Sequence, residues 1–173
     1  MRLEGKLIRL RAVEPDDVEP MYRWENDPAV WRVSGTLAPF SRHQLVRFVE
    51  EQQFDIYQTR QMRLIIETVG ESEAVGALDL FEFDPQHRRT GVGILVHDPA
   101  HRNRGIATEA LGLLIAYARE VLGLHQLWCG VTAGNTASLA LFTRAGFIET
   151  GRRRDWLWTP DGYCDEVMLQ RIL

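Results

Sequence analysis

Between an apolar, strand-like run, Val92-Gly93-Ile94-Leu95-Val96, and a long amphipathic pattern lies the segment His101-Arg102-Asn103-Arg104-Gly105-Ile106-Ala107-Thr108. A strand that feeds a basic, glycine-containing turn and then opens a helix gathers free backbone N–H groups, the positive end of a helix dipole and two arginines at one place. That is the chemistry of a phosphate cradle, and a pyrophosphate-bearing ligand is its expected occupant. A basic surface turn ahead of a helix would look similar in charge alone. Gly105, which lets backbone approach a ligand, and the small Ala107, which keeps the first helical turn open, argue for the cradle.

The other residues able to do chemistry are scattered. Asn135 can cap a helix, and Ser138 follows it by one turn; Asp79 and Glu82 lie on a strand-like run, and Asp155 precedes a terminal hairpin. Trp156 and Trp158 share a strand face, with Tyr163 across the turn, and either wall a pocket or pack on the sheet. His87, His97 and His101 have no metal-ligand spacing with cysteines or carboxylates, so no metal is expected.

The elements that must position these groups follow from periodicity. Leu7 to Arg11 alternates as a strand, and Glu14-Pro15-Asp16-Asp17 opens a helix that runs to about Trp24 and ends at Asn26-Asp27-Pro28. Ser41 to Gln44 fits a capping box for a second helix carrying Leu45, Phe48, Val49, Gln52 and Ile56. Leu64 to Ile66, Val75 to Phe83 and Gly91 to Val96 read as an antiparallel meander. After the cradle come a helix from Ala107 to Leu122, a strand from His125 to Val131, a helix from Asn135 to Gly146, and a hairpin turned at Thr159-Pro160-Asp161-Gly162. The order is that of a mixed α/β (α+β) fold.

A chain of 173 residues with 45 % hydrophobic and 25 % charged residues fits one domain, residues 1–173, with its own core. The formal charge of −4 offers no global field for nucleic acid or an anionic membrane. Two cysteines without metal-knuckle spacing, no apolar run near the ~18 residues of a bilayer span, and an amino terminus without a signal-peptide core predict a cytoplasmic protein.

Arg102-Asn103-Arg104-Gly105-Ile106-Ala107 matches Arg/Gln-x-x-Gly-x-Gly/Ala, and Asn135 is followed after six residues by Phe142 and after three more by Gly146-Phe147. Together these resemble the acetyl-CoA site of the GNAT superfamily of N-acetyltransferases, and Ile8-Arg9-Leu10-Arg11 with an acidic helix start resembles the opening of its spermidine (diamine) and ribosomal-protein alanine branches. The resemblance implies a mostly antiparallel, twisted sheet with helices on both faces and a splayed-strand cleft near Val96 and Val131. It implies acetyl-CoA as acyl donor, with no metal, a primary amine as acceptor (a small amine, a polyamine or a protein N-terminus), direct attack in a ternary complex, and homodimers as a possible assembly. Cofactor-binding roles fall to Leu95, Val96, Arg102, Asn103, Arg104, Gly105, Ile106, Ala107, Thr108, Asn135 and Phe142.

Two departures stand out against the family pattern. The tyrosine that commonly protonates the leaving sulfur is Phe142 here, and the usual strand carboxylate is replaced within Thr90-Gly91-Val92-Gly93. Ser138 is the substitute proton donor, or else a serine bonding its own helix start. Asp79, Glu82 and Asp155 are candidate bases, or else solvated surface carboxylates. The loop Val33 to Phe40 carries no acid, which disfavours a polyamine. The alternative function is an acyl-CoA-binding module with little or no transfer.

Overall fold

The computed structural model describes residues 3–173, the side chains of Arg32 and Val33 excepted; Met1-Arg2 of the opening segment lies outside the described residues. Seven strands form one sheet in the order β1-β2-β3-β4-β5-β7-β6. These are β1 (Ile8–Ala12), β2 (Met62–Thr68), β3 (Ala74–Asp84), β4 (Arg89–Val96), β5 (Gln126–Thr132), β6 (Ile148–Thr159) and β7 (Gly162–Ile172). Every neighbouring pair is antiparallel except β4 with β5. The helices are α1 (Val18–Glu25), α2 (Pro28–Ser34), α3 (Arg42–Glu51), α4 (Ile56–Thr59), α5 (Ile106–Glu120) and α6 (Thr136–Arg144).

Alternation along the strands divides the core in two. Ile8, Leu10, Leu64, Ile66, Leu78, Leu80 and Val92 point to one face and bury against Ala110, Leu111 and Leu114 of α5, and Leu127, Val131 and Val167 continue that layer toward Phe142 of α6. Ile65 and Ala77 point to the other face, where Met21 and Trp24 of α1 and Leu45 of α3 cover them. Helices therefore lie on both faces, as the family resemblance implies.

The capping box at Ser41-Gln44 opens α3, the meander of β2, β3 and β4 forms, and Thr159 pairs with Gly162 at the last turn. Two helix boundaries differ from the sequence reading. Asp27-Pro28 ends α1 but also starts α2: the Asp27 side chain accepts from the amide of Ala29, and Pro28 occupies the first turn, where its missing N–H costs nothing. The second helix stops at Glu51, and Ile56 belongs to the separate turn α4, capped by Asp55.

Charged groups tie the first strand to its neighbours. Glu67, 5 % exposed, accepts from Nε of Arg9 at 2.6 Å and from Arg11, whose guanidinium also forks onto Asp17 at 2.7 and 2.8 Å. Burial opposes charge on Glu67, but the two arginines overcome it and hold its carboxyl below the usual range. A carboxylate depressed in the fold contributes stability that is complete above its ordinary pKa of about 4.3 and lost as pH falls through the folded value. Glu67→Gln is therefore expected to destabilise the protein by about 3 kcal/mol at pH 7, with the gap to the unmodified chain narrowing below about pH 4.5. Thermal unfolding at pH 7 and pH 4 checks this, and an equal gap at both values would contradict it.

Candidate active site

The parallel pairing of β4 with β5 lasts for three residues, Arg89, Thr90 and Gly91 against Gln126, Leu127 and Trp128. Beyond it β4 stays with β3 as far as Val96, and β5 stays with β7 as far as Thr132, so the two strands part and leave a wedge. The amide of His97 donates to the carbonyl of Val75 at 3.1 Å, which fixes the phase of the β3–β4 ladder. Odd-numbered residues of β4 bond β3, and the main chains of Ile94 and Val96 face the wedge. Leu95 instead pairs with Ala77 and sends its side chain into the cleft. Main-chain groups in the wedge require partners, and an extended amide-bearing ligand supplies them as an added strand does.

At the mouth of the wedge the chain turns into α5. Asn103 (φ 59°) and Gly105 (φ 85°) both take left-handed backbone, which only glycine adopts without strain, and Gly105 is the N-cap. No side chain caps this helix, and among the described residues none of the amides from Asn103 to Thr108 donates to a protein acceptor. Orphan N–H groups, a dipole end and Arg104 thus converge where a pyrophosphate could sit. Arg102 does a different job in this structure. Its Nε donates to the carbonyl of Val96 at 3.2 Å and its terminal nitrogen to that of His97 at 2.9 Å, bracing the turn against the end of β4. Below the cradle the carboxylate of Glu109 accepts the amides of Lys6, Leu7 and Ile8 at 2.8, 2.8 and 2.9 Å, anchoring the first turn of α5 to the start of β1.

The inner end of the wedge opens into a cleft of about 390 Å³. Its wall includes Ser138 and Phe142 from α6, with Asn135 at that helix's N-cap accepting the amide of Ser138 at 3.1 Å. The hydroxyl of Ser138 makes no bond to the protein among the described residues. Phe142 is 2 % exposed and stacks edge-on against Phe147 at 5.0 Å, a packing role that leaves no proton to give.

Of the four candidate catalytic residues, the structure brings Ser138 and Asp79 to this cleft. Asp79 is gripped by Arg63 through two bonds of 2.7 and 2.9 Å, and Arg63 also holds Glu25 at 2.6 Å. Burial works against the charge of Arg63, but its two carboxylates raise its pKa above the ordinary value. Glu82 is exposed at the β3 bulge and lines a different cavity, and Asp155 is exposed on β6, where its amide meets Asp165. Trp156, Trp158 and Tyr163 are exposed and do not wall the cleft, whereas Leu157 does. Among the described residues no group of three or more potential metal ligands occurs.

Glu25, Arg63 and Glu166 also line the cleft without having been singled out in the sequence. Glu166 leans over Gly130: a Cβ there would come 2.5 Å from its Oε1, so the absent side chain makes room for the carboxylate. Arg153 holds the other oxygen of Glu166 at 3.0 Å. Cys129 also borders the cleft, but burial pushes its thiol up to about 12, so it stays protonated and unreactive at neutral pH.

A family model described as the acetyltransferase (GNAT) domain matches residues 8–148. The chain belongs to the GNAT acetyltransferase family. It is an acyltransferase that takes acetyl-CoA as its donor, and the wedge and open helix N-terminus fit the amide-rich arm and the pyrophosphate of that molecule. The probable N-acetyltransferase YjcK of Bacillus subtilis (strain 168) is 26 % identical over 156 residues, 88 % of this chain and 86 % of that protein. The ribosomal protein bS18-alanine N-acetyltransferase of Escherichia coli (strain K12) is 35 % identical over 72 residues, 42 % of this chain and 48 % of that protein. Among solved structures, spermidine N-acetyltransferase from Vibrio cholerae in complex with CoA and spermine superposes with a TM-score of 0.87 at 20 % identity, over 97 % of this chain and 96 % of that one, a likeness of fold. No helix among the described residues is long and apolar enough to cross a membrane.

Gly105→Val forces a branched side chain into left-handed backbone at the cradle and is expected to weaken acetyl-CoA binding by about tenfold or more, a loss of about 1.4 kcal/mol. Arg102→Ala is expected to weaken it less, through a looser turn. Calorimetric titration checks both, and unchanged affinity in Gly105→Val would move the pyrophosphate elsewhere.

Proposed function

We propose that this chain, acting as a single domain over residues 1–173, acetylates a primary amine by direct attack on the thioester in a ternary complex. The observation that carries the reading is the position of Glu166. Its carboxylate lies over Gly130 in the cleft into which the wedge opens, whose wall also includes Ser138. Three carboxylates, Glu25, Asp79 and Glu166, line that cleft against one guanidinium, Arg63, so the acceptor side favours a cation.

Acetyl-CoA supplies an activated acyl group on sulfur. The protein must then take a proton from the ammonium, stabilise the oxyanion and return a proton to the departing thiolate. Glu166 is placed for the first service. The two oxygens of Asp79 are already committed to Arg63, which fits it for holding Arg63 and Glu25 in place more than for proton transfer. The main-chain N–H of Ile94, facing the wedge, is the oxyanion donor. The free hydroxyl of Ser138 serves the sulfur. Burial pushes the Cys129 thiol up to about 12, which disfavours it as a nucleophile and supports direct attack by the amine. The two unpaired cysteines suit a reducing, cytosolic compartment.

With purified protein and a panel of amines and short peptides, Glu166→Gln is expected to lower kcat by about a hundredfold, with acetyl-CoA affinity unchanged. Ser138→Ala is expected to cost about tenfold in kcat. Free-thiol release against each acceptor is the readout. Acetyl-CoA binding without turnover on any acceptor would instead favour a binding module, and full activity in Glu166→Gln would remove that residue from the mechanism.

A further inference from the structure

The sheet face that carries the acceptor cleft extends well past it. From Gly130 the same face of β5 continues through Trp128 to Gln126, and that of β7 from Glu166 through Met168 to Gln170. Whereas Leu127, Cys129, Val167 and Leu169 on the opposite face are buried, Trp128, Met168 and Gln170 remain half-exposed. Among the described residues, the helices of this face pack over β2 and β3 instead. The result is a second cavity of about 670 Å³, floored by Trp128, Met168 and Gln170 and rimmed by Arg60, Arg89 and Arg153 with Glu82 and Asp84.

The two cavities are neighbours. Gly130 of the cleft pairs directly with Met168 of the trough, and Arg153 of the trough bonds Glu166 of the cleft. From Gly130 to Gln126 the strand covers four residues, about 13 Å at the usual rise. The trough therefore reaches as far from the reacting amine as four extended residues do.

Guanidiniums line it more than they line the cleft, and Arg153 is shared with Glu166 of the cleft. Three guanidiniums face two carboxylates, and Asp84 is turned onto His87, accepting its amide at 3.0 Å and its ring nitrogen at 2.8 Å, with Arg89 at 3.2 Å. Thus the acceptor meets carboxylates at its amine and guanidiniums farther along, an arrangement that suits an acceptor longer than a small amine.

We propose that this trough is a subsite for an extended peptide acceptor, holding the residues that follow the N-terminal amine and selecting an acidic side chain near the fourth or fifth position. The proposal rests on the reading of the cleft as the site of amine acetylation. Trp128 offers its ring to the peptide backbone and aliphatic portions, and Arg89 and Arg60 offer charge-assisted hydrogen bonds to the carboxylate.

The test compares three pentapeptide amides with free N-termini, bearing glutamate, alanine or lysine at positions 4 and 5, and alanine amide as the short control. The glutamate peptide is expected to have the lowest KM, and Arg89→Glu to raise that KM about tenfold while leaving kcat, the constants for alanine amide and acetyl-CoA affinity unchanged. Equal KM values across the three peptides, or an equal loss on alanine amide, would overturn the subsite. Calorimetric titration of the glutamate peptide into protein saturated with CoA reads binding without turnover. Binding that Arg89→Glu weakens supports the subsite even where no acceptor is acetylated, a result that would count against the transferase reading alone; no binding overturns it. A sedimentation change from a larger species to monomer in Arg89→Glu would overturn it in favour of contact between copies of this chain.

Discussion

Two strands of one sheet begin as hydrogen-bonded partners and then refuse to continue, and the working parts of the molecule are arranged around that parting. Each strand has a full neighbour on its outer side: β3 accompanies β4 to Val96, and β7 accompanies β5 to Thr132. Each stays with its outer neighbour where the two diverge. The gap consequently exposes main-chain polar groups inside a sheet, where they must find partners. The cradle turn is held at the mouth of the same gap, because Arg102 is bonded to the last carbonyls of β4. His97, one residue past the strand, is bonded to Asp27 at 2.9 Å and so ties the start of α2 to the same place.

Around this gap the electrostatics are graded. At the cradle, orphan amides and a dipole end favour anions; in the cleft, Glu25, Asp79 and Glu166 favour a cation. Arg63 keeps two of those carboxylates from repelling one another, and Arg153 fixes the third. An amine must lose its ammonium proton to attack, so a carboxylate beside the ammonium both attracts it and gives its proton a destination.

Much of this was legible in the residue order because it is local. The strand, the glycine turn and the helix that make the cradle are contiguous, as are Asn135 and the helix it caps. What stayed hidden depends on contacts between distant segments. Glu25, Arg63 and Glu166 come from α1, β2 and β7, and no periodicity announces that they meet. Pro28 reads as a stop because proline ends helices, yet with Asp27 before it the same residue is a good first position, and only the backbone distinguishes the two. Asp79 and Glu82 are an odd number of residues apart, so a regular strand sends them to opposite faces; the register shift between Phe81 and Asp84, with Glu82 in left-handed backbone, puts Glu82 beside a separate cavity instead.

The outermost strand, β6, has β7 on one side only and is exposed along most of its length. The outward main-chain groups of a twelve-residue edge strand would normally template the stacking of further chains into aggregates. Here three consecutive arginines, the irregular step between Arg153 and Leu157 and the left-handed Asp155 interrupt it at mid-length. Charge and a broken pleat on a free edge act as gatekeepers. The run Arg152-Arg153-Arg154 thus gives the free edge of the sheet a charge that opposes the addition of a further strand.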